Sequence, residues 1–324
     1  MEQRVRRVGI LTSGGDAPGM NAAIRAVVRN CQQHDMMPIG IRRGYQGLIH
    51  ADTIEMDARS VNGITAHGGT ILYTARSEEF MGTEGLSRAV SSCRYLGLDA
   101  LVAIGGDGTF RGAKTLSDAG VNVIGIPATI DNDIGCSHYT IGFDTAANTA
   151  IEAIDKLADT MQSHERVSVV EVMGRHAGHL AVYVGLAVGA TSIIIPEYPF
   201  DFDKHVIEPI REGRMRDKHH HLIIVAEGVG KCDDISRRVT EETGLEARVS
   251  ILGYIQRGGS PSARDRVMAS RMGHFAVEQL VKGLRNQIIC YRDSKLVPTP
   301  FDDALVMTKP LDAYMYQVAH DIAI

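Results

Sequence analysis

Three glycine-rich segments follow predicted β-strands, and their residues could hold a phosphate group. They are residues 12–21 (TSGGDAPGMN), 105–109 (GGDGT) and 127–133 (PATIDND), named below the first, second and third segments. Glycine lets the backbone approach a ligand closely, and the N-terminus of a helix offers N–H groups to an anion. Because ligands bind outside the carboxyl ends of the strands in open α/β sheets, the three segments predict one anion site at a sheet edge.

Two of these segments carry aspartates that suit phosphoryl chemistry. Asp107, flanked by glycines at the tip of a strand, suits Mg²⁺ on a triphosphate, since Mg²⁺ needs only one or two carboxylates. In the third segment, Asp131 and Asp133 suggest two tasks. One carboxylate accepts a proton from a hydroxyl, and the other orients metal-bound water. Paired aspartates in a loop are more often turn formers or helix caps, but three such segments together favour the catalytic interpretation.

Five arginines follow predicted strands or lie in loops, and as a set they suggest an anionic substrate beside a nucleotide. Each charge-assisted hydrogen bond from a guanidinium to a phosphate contributes about 1.5–3 kcal/mol. A single arginine of this kind is more often a solvated surface residue, whereas the set, together with the glycine-rich segments, favours a binding site. The five are Arg76, Arg166, Arg175, Arg248 and Arg257.

Short β-branched runs alternate with helical patterns along the chain, which predicts an α/β fold with βαβ units and mainly parallel sheets. The 324 residues correspond to roughly two domains. The predicted strands are residues 5–11, 38–41, 100–104, 121–126, 167–172, 192–195, 222–226 and 249–252. The predicted helices are residues 21–31, 86–96, 112–118, 145–161, 180–188, 205–214, 236–243 and 264–281.

Composition and missing motifs exclude several classes of protein. With 34 Lys and Arg against 39 Asp and Glu, the net charge is −5, so no basic field for nucleic acid covers the surface. The 5 cysteines are widely spaced without a C-x-x-C pair, which argues against a disulfide framework or a zinc site. No leader or membrane-spanning segment is visible, so we expect a cytoplasmic protein. The P-loop, G-x-G-x-x-G and protein-kinase motifs are absent.

Five stretches of the sequence together resemble the ATP-dependent 6-phosphofructokinase family in its bacterial, short-chain form. They extend over most of the chain. The combination is specific, although GGDGT alone also occurs in NAD kinases and diacylglycerol kinases. The stretches are TSGGDAPGMNAAIR at residues 12–25, IGGDGT at 104–109, PATIDND at 127–133, VMGRHAG at 172–178 and LGYIQRGGSP at 252–261.

The resemblance implies transfer of the γ-phosphate of MgATP to the 1-hydroxyl of fructose 6-phosphate, a step of glycolysis. It makes Asp131 the general base, with Thr129, Arg175 and Arg76 as further catalytic residues. Asp107 would serve Mg²⁺. The implied ATP-binding residues are Gly15, Arg76, Ser77, Gly106, Asp107, Gly108 and Thr109. The implied sugar-phosphate residues are Thr129, Ile130, Asp131, Met173, Gly174, Arg175, Glu227 and Tyr254, with Arg166, Arg248 and Arg257 on the 6-phosphate.

The resemblance also implies two similar doubly wound domains with the active site in the cleft between them. The larger, ATP-binding domain would comprise residues 1–141 and 255–306, and the smaller, sugar-phosphate-binding domain residues 142–254 and 307–324. In this family some phosphate-binding arginines come from a neighbouring subunit. We therefore expect a homotetramer with sites shared between subunits, and neither nucleic acid nor a membrane as a partner.

Two small residues favour ATP over pyrophosphate as the phosphoryl donor. By the family's pattern, the residue after GGD is Gly in ATP users and commonly Asp in pyrophosphate users; here it is Gly108. The residue before the Thr of TIDND is commonly Gly in ATP users and Lys in pyrophosphate users; here it is Ala128. The alternatives are a pyrophosphate-dependent enzyme, a kinase of another acceptor, and a non-catalytic sugar-phosphate sensor. The intact Asp107, Asp131 and Arg175 argue against the sensor.

The effector pocket departs from the family's pattern. Family members bind ADP or phosphoenolpyruvate between subunits with arginines and a glutamate, but Ala58, Ala158 and Thr191 stand at three of those positions. The loss of two cations predicts weakened or altered allosteric control. Tyr254 stands where histidine is common, and a phenol donates a hydrogen bond without becoming cationic. The remaining candidate effector residues are Arg25, Arg29, Arg59, Arg216, Lys218 and His220.

Overall fold

The computed structural model describes residues 5–323, which divide into two compact units. Unit 1 comprises Met1–Ile130, Ile134–Thr145 and Arg257–Lys309, and unit 2 comprises Asp131–Asp133, Ala146–Gln256 and Pro310–Ile324. The main changes of unit therefore follow residues 145, 256 and 309, against predicted domain boundaries after 141, 254 and 306. Residues 1–4 and 324 of the predicted domains lie outside the described residues.

Strands and helices alternate along the described chain, and none of the helices in residues 5–323 is long and apolar enough to cross a membrane. The strands are β1 Arg7–Ser13, β2 Met37–Ile41, β3 Thr53–Glu55, β4 Ala100–Gly105, β5 Val123–Pro127, β6 Val167–Val172, β7 Ser192–Ile194, β8 His221–Ala226, β9 Ala247–Ile251, β10 Gln287–Arg292 and β11 Lys295–Pro300. The helices are α1 Met20–Gln33, α2 Gly44–Ile49, α3 Thr83–Tyr95, α4 Asp107–Asp118, α5 Phe143–Ser163, α6 His179–Ala187, α7 Glu208–Met215, α8 Cys232–Thr243, α9 Ala263–Val281, α10 Phe301–Ala304 and α11 Ala313–Asp321.

Unit 1 is built on a seven-stranded sheet in the order β11-β10-β5-β4-β1-β2-β3. The five inner strands run parallel, and β3 and β11 pair antiparallel at the two edges. Strands β4 and β5 are buried over their whole length, as parallel strands are when helices cover both faces. On one side of the unit, α1 packs against α9. The predicted α/β class with mainly parallel sheets is confirmed.

The sequence pattern missed β3, β10 and β11. Strand β3 has only 3 residues, which is too short for an alternating pattern to stand out. Strand β11 contains Pro298 and Pro300, and proline within a run argues against a central strand. Its position at the sheet edge explains why the prolines are tolerated, because an edge strand need not donate every hydrogen bond.

Unit 2 is built on a four-stranded parallel sheet in the order β7-β8-β6-β9. Strand β8 is buried throughout, and β6 is buried at every position except Glu171. Their apolar side chains form a core with Phe202, Ile210 and Ile235. Near the C-terminus, α11 packs against α6 in the same unit. Unit 2 therefore repeats the α/β architecture of unit 1 with fewer strands.

The three glycine-rich segments leave three neighbouring strands of unit 1. Strands β1, β4 and β5 end at Ser13, Gly105 and Pro127, and the register pairs Ser13 with Gly105 and Gly105 with Pro127. Because the three strands are parallel, their carboxyl ends lie side by side at one edge of the sheet. The expected convergence of the segments is thus observed, at the position where open α/β sheets bind ligands.

Candidate active site

The second segment opens helix α4, which begins at Asp107 instead of the predicted residue 112. Gly106 is the N-cap and no side chain caps the helix, so backbone N–H groups of the first turn can face a ligand. Thr109 Oγ1 donates to the carbonyl oxygen of Ser13 at 3.0 Å, which fastens the helix start to β1. A Cβ on Gly105 would lie 2.4 Å from that oxygen, so glycine is required. This arrangement suits a phosphate at a helix N-terminus.

The first segment connects β1 to α1, and the guanidinium of Arg257 packs against it. Gly14 and Gly19 have φ values of 85° and 109°, which glycine adopts without a Cβ penalty. Arg257 Nη1 donates to the carbonyl oxygen of Asp16 at 3.1 Å, and a Cβ on Gly15 would lie 2.1 Å from that nitrogen. The resemblance assigns Arg257 to the sugar 6-phosphate, whereas in unit 1 its guanidinium lies against the expected ATP loop. It therefore brings a positive charge to the first segment.

Arg76 and Ser77 lie on a loop that is fastened to the first segment. Thr74 Oγ1 donates to the carbonyl oxygen of Gly14 at 2.6 Å. Ser77 Oγ donates to Gln46 Oε1 at 2.7 Å. Arg76 is exposed between these two anchors. The loop thus holds an arginine beside the glycines, where a nucleotide phosphate would need a counter-charge.

The third segment leaves β5 and is paired with the chain that leads into α5. Thr140 Oγ1 donates to the carbonyl oxygen of Thr129 at 2.7 Å, and Ala128 forms an isolated parallel bridge with Ile141. Asp131 is only 7% exposed, and it is the first residue of the segment that clusters with unit 2. A carboxylate with so little exposure is shielded from bulk water. That environment suits a base that takes one proton from a bound hydroxyl.

In unit 2, residues that follow β6 and β8 form a second group. The backbone N–H of Arg175 donates to Glu227 Oε2 at 3.0 Å, and that of Met173 donates to Gln256 Oε1 at 3.3 Å. Gly174, between them, has a φ of 145°. Met173, Gly174, Arg175 and Glu227 are therefore brought together at the carboxyl edge of the unit 2 sheet. Gln256, which is fully buried, was not predicted from the sequence.

Arg166 and Arg248 lie at the opposite end of that sheet and share one carboxylate. Arg166 Nε lies 2.6 Å from Glu246 Oε2, and the guanidinium of Arg248 contacts Glu246 Oε1. The hydrogen bond from Arg166 is the main cause that lowers the pKa of Glu246. Arg166 precedes the 6 residues of β6 and Arg175 follows them, which separates the two arginines by roughly 20 Å along the strand. Within unit 2, Arg166 and Arg248 therefore do not meet Arg175.

The candidate effector residues divide into three from each unit. In unit 2, Lys218 Nζ donates to the carbonyl oxygen of Ala323 at 2.9 Å, so this cation is engaged by the C-terminal segment. Burial lowers the pKa of Lys218, and burial followed by the Lys218 charge lowers the pKa of His220. The unit 1 members are Arg25, Arg29 and Arg59, and the unit 2 members are Arg216, Lys218 and His220.

Asp107 is a suitable ligand for a nucleotide-bound divalent cation. Its carboxylate is 41% exposed, and its Oδ2 accepts a hydrogen bond from Arg111 Nε at 2.8 Å. Across residues 5–323 no group of three or more His, Cys, Asp or Glu side chains could hold a metal by itself. Mg²⁺ does not require one, because water and phosphate oxygens complete its coordination shell around one or two carboxylates. The donor set at the start of α4 therefore fits Mg²⁺.

These features define an α/β protein that binds a phosphorylated ligand at aligned strand ends. The phosphofructokinase family model matches residues 7–280, and the chain belongs to this family. It is 52% identical to the ATP-dependent 6-phosphofructokinase of Clostridium tetani over 315 residues, which cover 97% of this chain and 98% of that protein. The family predicted from the sequence is thus confirmed.

Two solved structures resemble the fold closely. Phosphofructokinase from Saccharomyces cerevisiae matches with a TM-score of 0.88 and 30% identity over 98% of this chain. The match covers 47% of that chain, so this chain spans about half its length. A pyrophosphate-dependent phosphofructokinase from Marinobacter aquaeolei matches with a TM-score of 0.85 over 99% of this chain and 92% of that one. At 21% identity, the second match shows the fold alone.

Proposed function

We propose that this chain transfers the γ-phosphate of ATP to the 1-hydroxyl of fructose 6-phosphate, giving fructose 1,6-bisphosphate and ADP in glycolysis. The observation that carries the proposal is the lateral alignment of Ser13, Gly105 and Pro127, which gathers the three glycine-rich segments at one edge. The 52% identity to an ATP-dependent enzyme over nearly the whole chain supports both the donor and the acceptor.

The proposed chemistry needs positioning and charge neutralisation more than covalent catalysis. The N–H groups that open α4, together with Arg76, bind the nucleotide phosphates. Asp131 accepts the proton of the 1-hydroxyl as its oxygen attacks the γ-phosphorus. The bond between that phosphorus and the β–γ bridging oxygen breaks, and ADP leaves. Thr129 touches the sugar beside Asp131, and Arg175 stabilises the charge on the group in transfer.

Asp107 would hold Mg²⁺ together with the nucleotide phosphates. When bound there, the cation neutralises charge on the phosphate oxygens. The hydrogen bond from Arg111 engages Oδ2 of Asp107 and orients the carboxylate that would hold the cation. The protein's part in metal binding is therefore one oriented carboxylate at the N-terminus of α4.

A second copy of the chain would complete the sugar-phosphate site. Arg166 lies roughly 20 Å along β6 from Arg175, farther than one sugar phosphate extends, and Arg248 pairs with Ser168 near the same end of β6 as Arg166. The shared carboxylate of Glu246 keeps these two guanidinium groups together, so the three side chains form one patch with a net positive charge. We infer that this patch binds the 6-phosphate held by a neighbouring subunit.

The surface beside that patch supports an assembly of copies. Strand β9, which carries Arg248, is an edge strand of the unit 2 sheet. The residues that end it and follow it, Ile251, Tyr254 and Ile255, are 62%, 82% and 56% exposed. Clustered apolar side chains at such exposure are typical of protein interfaces. A homotetramer, as expected from the family, would cover them.

Arg248→Ala should raise KM for fructose 6-phosphate by about 10–100-fold, with kcat and KM for ATP little changed. The reason is the loss of one or two charge-assisted hydrogen bonds to the 6-phosphate. Steady-state kinetics with each substrate varied in turn provides the measurement. Arg237→Ala is the matched control, because Arg237 is another exposed unit 2 arginine with carboxylate partners on its own helix. An unchanged KM for the sugar phosphate in Arg248→Ala would remove Arg248 from the 6-phosphate site.

Turnover with two phosphoryl donors tests the proposed function directly. We expect ADP release with MgATP that depends on fructose 6-phosphate, and no phosphate release when pyrophosphate replaces ATP. The small residues Gly108 and Ala128 provide the reason, since they leave room for the nucleotide. Turnover with pyrophosphate but not with ATP would show that the phosphoryl donor is assigned wrongly. The absence of turnover with either donor would overturn the proposed reaction and favour a sensor or a kinase of another acceptor.

A further inference from the structure

Asp265 is a fully buried carboxylate in the first turn of α9, outside the residues so far given a role. It accepts four hydrogen bonds from one stretch of chain. Its Oδ1 accepts from the Tyr139 hydroxyl at 2.5 Å and the Gly142 N–H at 2.7 Å. Its Oδ2 accepts from the Thr145 N–H at 2.8 Å and the Thr145 hydroxyl at 2.5 Å. A side chain 120 residues away in sequence therefore fixes this stretch.

The stretch fixed by Asp265 is the one that pairs with the third segment. The N–H of Ile141 donates to the carbonyl oxygen of Pro127 at 3.0 Å. The Thr140 hydroxyl donates to the carbonyl oxygen of Thr129 at 2.7 Å. Tyr139 and Gly142, which Asp265 holds, flank these two donors along the chain. Hydrogen bonds thus run from Asp265 to Thr129, two residues before Asp131.

Close packing joins this stretch to the first segment as well. Gly142 has a φ of 106°, and a Cβ there would lie 2.7 Å from Ala17 Cβ of the first segment. A Cβ on Gly19 would lie 2.6 Å from Ile141 Cγ2. The first and third segments therefore both rest on the stretch that Asp265 anchors, so a shift there would reach both.

We propose that Asp265 is a positioning residue for the phosphoryl-transfer reaction, which it serves by holding Thr129 and the following Asp131 in register. The inference rests on the proposed function. All four partners are donors, so an ionised carboxylate satisfies them and an amide does not. Asp265→Asn would turn an NH₂ group toward either Gly142 or Thr145, whose backbone N–H groups cannot accept a hydrogen bond.

The kinetic test is Asp265→Asn beside a matched control. A displacement of about 1 Å at the reacting groups costs roughly 10²-fold, so we expect kcat to fall by about 10–100-fold. KM for either substrate should rise by a smaller factor than kcat falls, since the binding groups outside the first and third segments are untouched. The control is Asn30→Ala, which removes another buried hydrogen bond to α9, from Asn30 Nδ2 to the carbonyl oxygen of His274 at 2.9 Å. Equal kcat in the two variants would overturn the proposal.

A double variant tests the path itself. Thr140→Val cuts the link to Thr129 without touching Asp265. If both act along one path, the loss of kcat in the double variant is smaller than the product of the two single losses. Losses that multiply would mean independent effects and would overturn the proposal. Should Asp265→Asn not fold, Thr145→Val and Tyr139→Phe each remove one hydroxyl donor and should each lower kcat by a few-fold, with a smaller change in KM.

Hydrogen exchange separates this inference from the proposed function, because it needs no catalysis. Asp265→Asn should speed exchange in peptides from residues 127–145, while peptides from β4 keep the rates of the unchanged protein. Unaltered hydrogen exchange in residues 127–145 of Asp265→Asn would overturn the positioning role of Asp265, regardless of the kinetic results. Faster exchange in residues 127–145, combined with no phosphorylation of fructose 6-phosphate by the unchanged protein, would reject the proposed function but not the positioning role of Asp265.

Discussion

Asp131→Asn should lower kcat by about 10²–10⁴-fold and leave KM for ATP and fructose 6-phosphate nearly unchanged. Asparagine keeps the size and one acceptor oxygen of aspartate, but its amide cannot take the proton of the 1-hydroxyl. The loss is therefore confined to the step in which that proton moves. Single-turnover measurements of ADP formation with both substrates saturating would isolate this step from product release.

The two KM values serve as the internal control for Asp131→Asn. If the exchange disturbed the third segment as a whole, substrate affinity would fall together with kcat, because Thr129 and Ile130 adjoin the same site. Asp133→Asn provides a comparison two residues away in the same turn. A kcat near that of the unchanged protein would remove Asp131 from the role of base, and a larger loss in Asp133→Asn would move that role to Asp133.

Site residues that are close in sequence were predictable, and residues that reach them from far along the chain were not. In each glycine-rich segment the turn residues and the carboxylate lie within a few positions of each other. The chemistry of the segment can therefore be inferred from that short stretch of sequence. Glu246 meets Arg166 across 80 residues, Gln256 meets Met173 across 83, and Asp265 meets Thr145 across 120. A single glutamate, glutamine or aspartate on a helix or loop carries no local sign of such a partner.

The alternation of strand and helix patterns in the sequence predicted the fold class, whereas only the structure gives the register between neighbouring strands. Alternating β-branched runs and helical patterns predict parallel strands, but they do not predict that Ser13, Gly105 and Pro127 share one level across β1, β4 and β5. The start of α4 was placed five residues too late, because its opening glycines read as a loop. In the structure Gly106 is the N-cap and Gly108 lies in the first turn, so the glycine-rich motif and the helix N-terminus are one feature.

The separation of Arg166 and Arg248 from Arg175 is the clearest physical reason to expect shared sites. The sequence alone gave these arginines one substrate by resemblance, with no measure of distance. The 6 residues of β6 now supply that measure. The proposed arrangement therefore leaves the 6-phosphate of a sugar bound at Arg175 to arginines of a neighbouring copy.

The free energy of unfolding should fall by about 2 kcal/mol between pH 7 and pH 5 through His221 alone. His221 is fully buried at the start of β8, and neither ring nitrogen has a hydrogen-bond partner among residues 5–323. Burial, followed by the nearby charge of Lys218, lowers its pKa from 6.5 to about 4. As pH falls below 6.5, His221 is protonated in the unfolded chain but stays neutral in the folded chain until the pH approaches 4. The stability present above pH 6.5 is therefore lost progressively down to about pH 4.

Urea unfolding at several pH values tests this prediction with His221→Gln, which cannot titrate in this range. Glutamine is destabilising at pH 7 because it is another buried polar group, so the comparison is of slopes and not of absolute stabilities. The fall in unfolding free energy from pH 7 to pH 5 should be smaller in His221→Gln by about 2 kcal/mol. His219→Gln, a change at an exposed neighbour, should keep the slope of the unchanged protein. Equal slopes in all three proteins would mean that the buried imidazole finds a proton acceptor when it is charged.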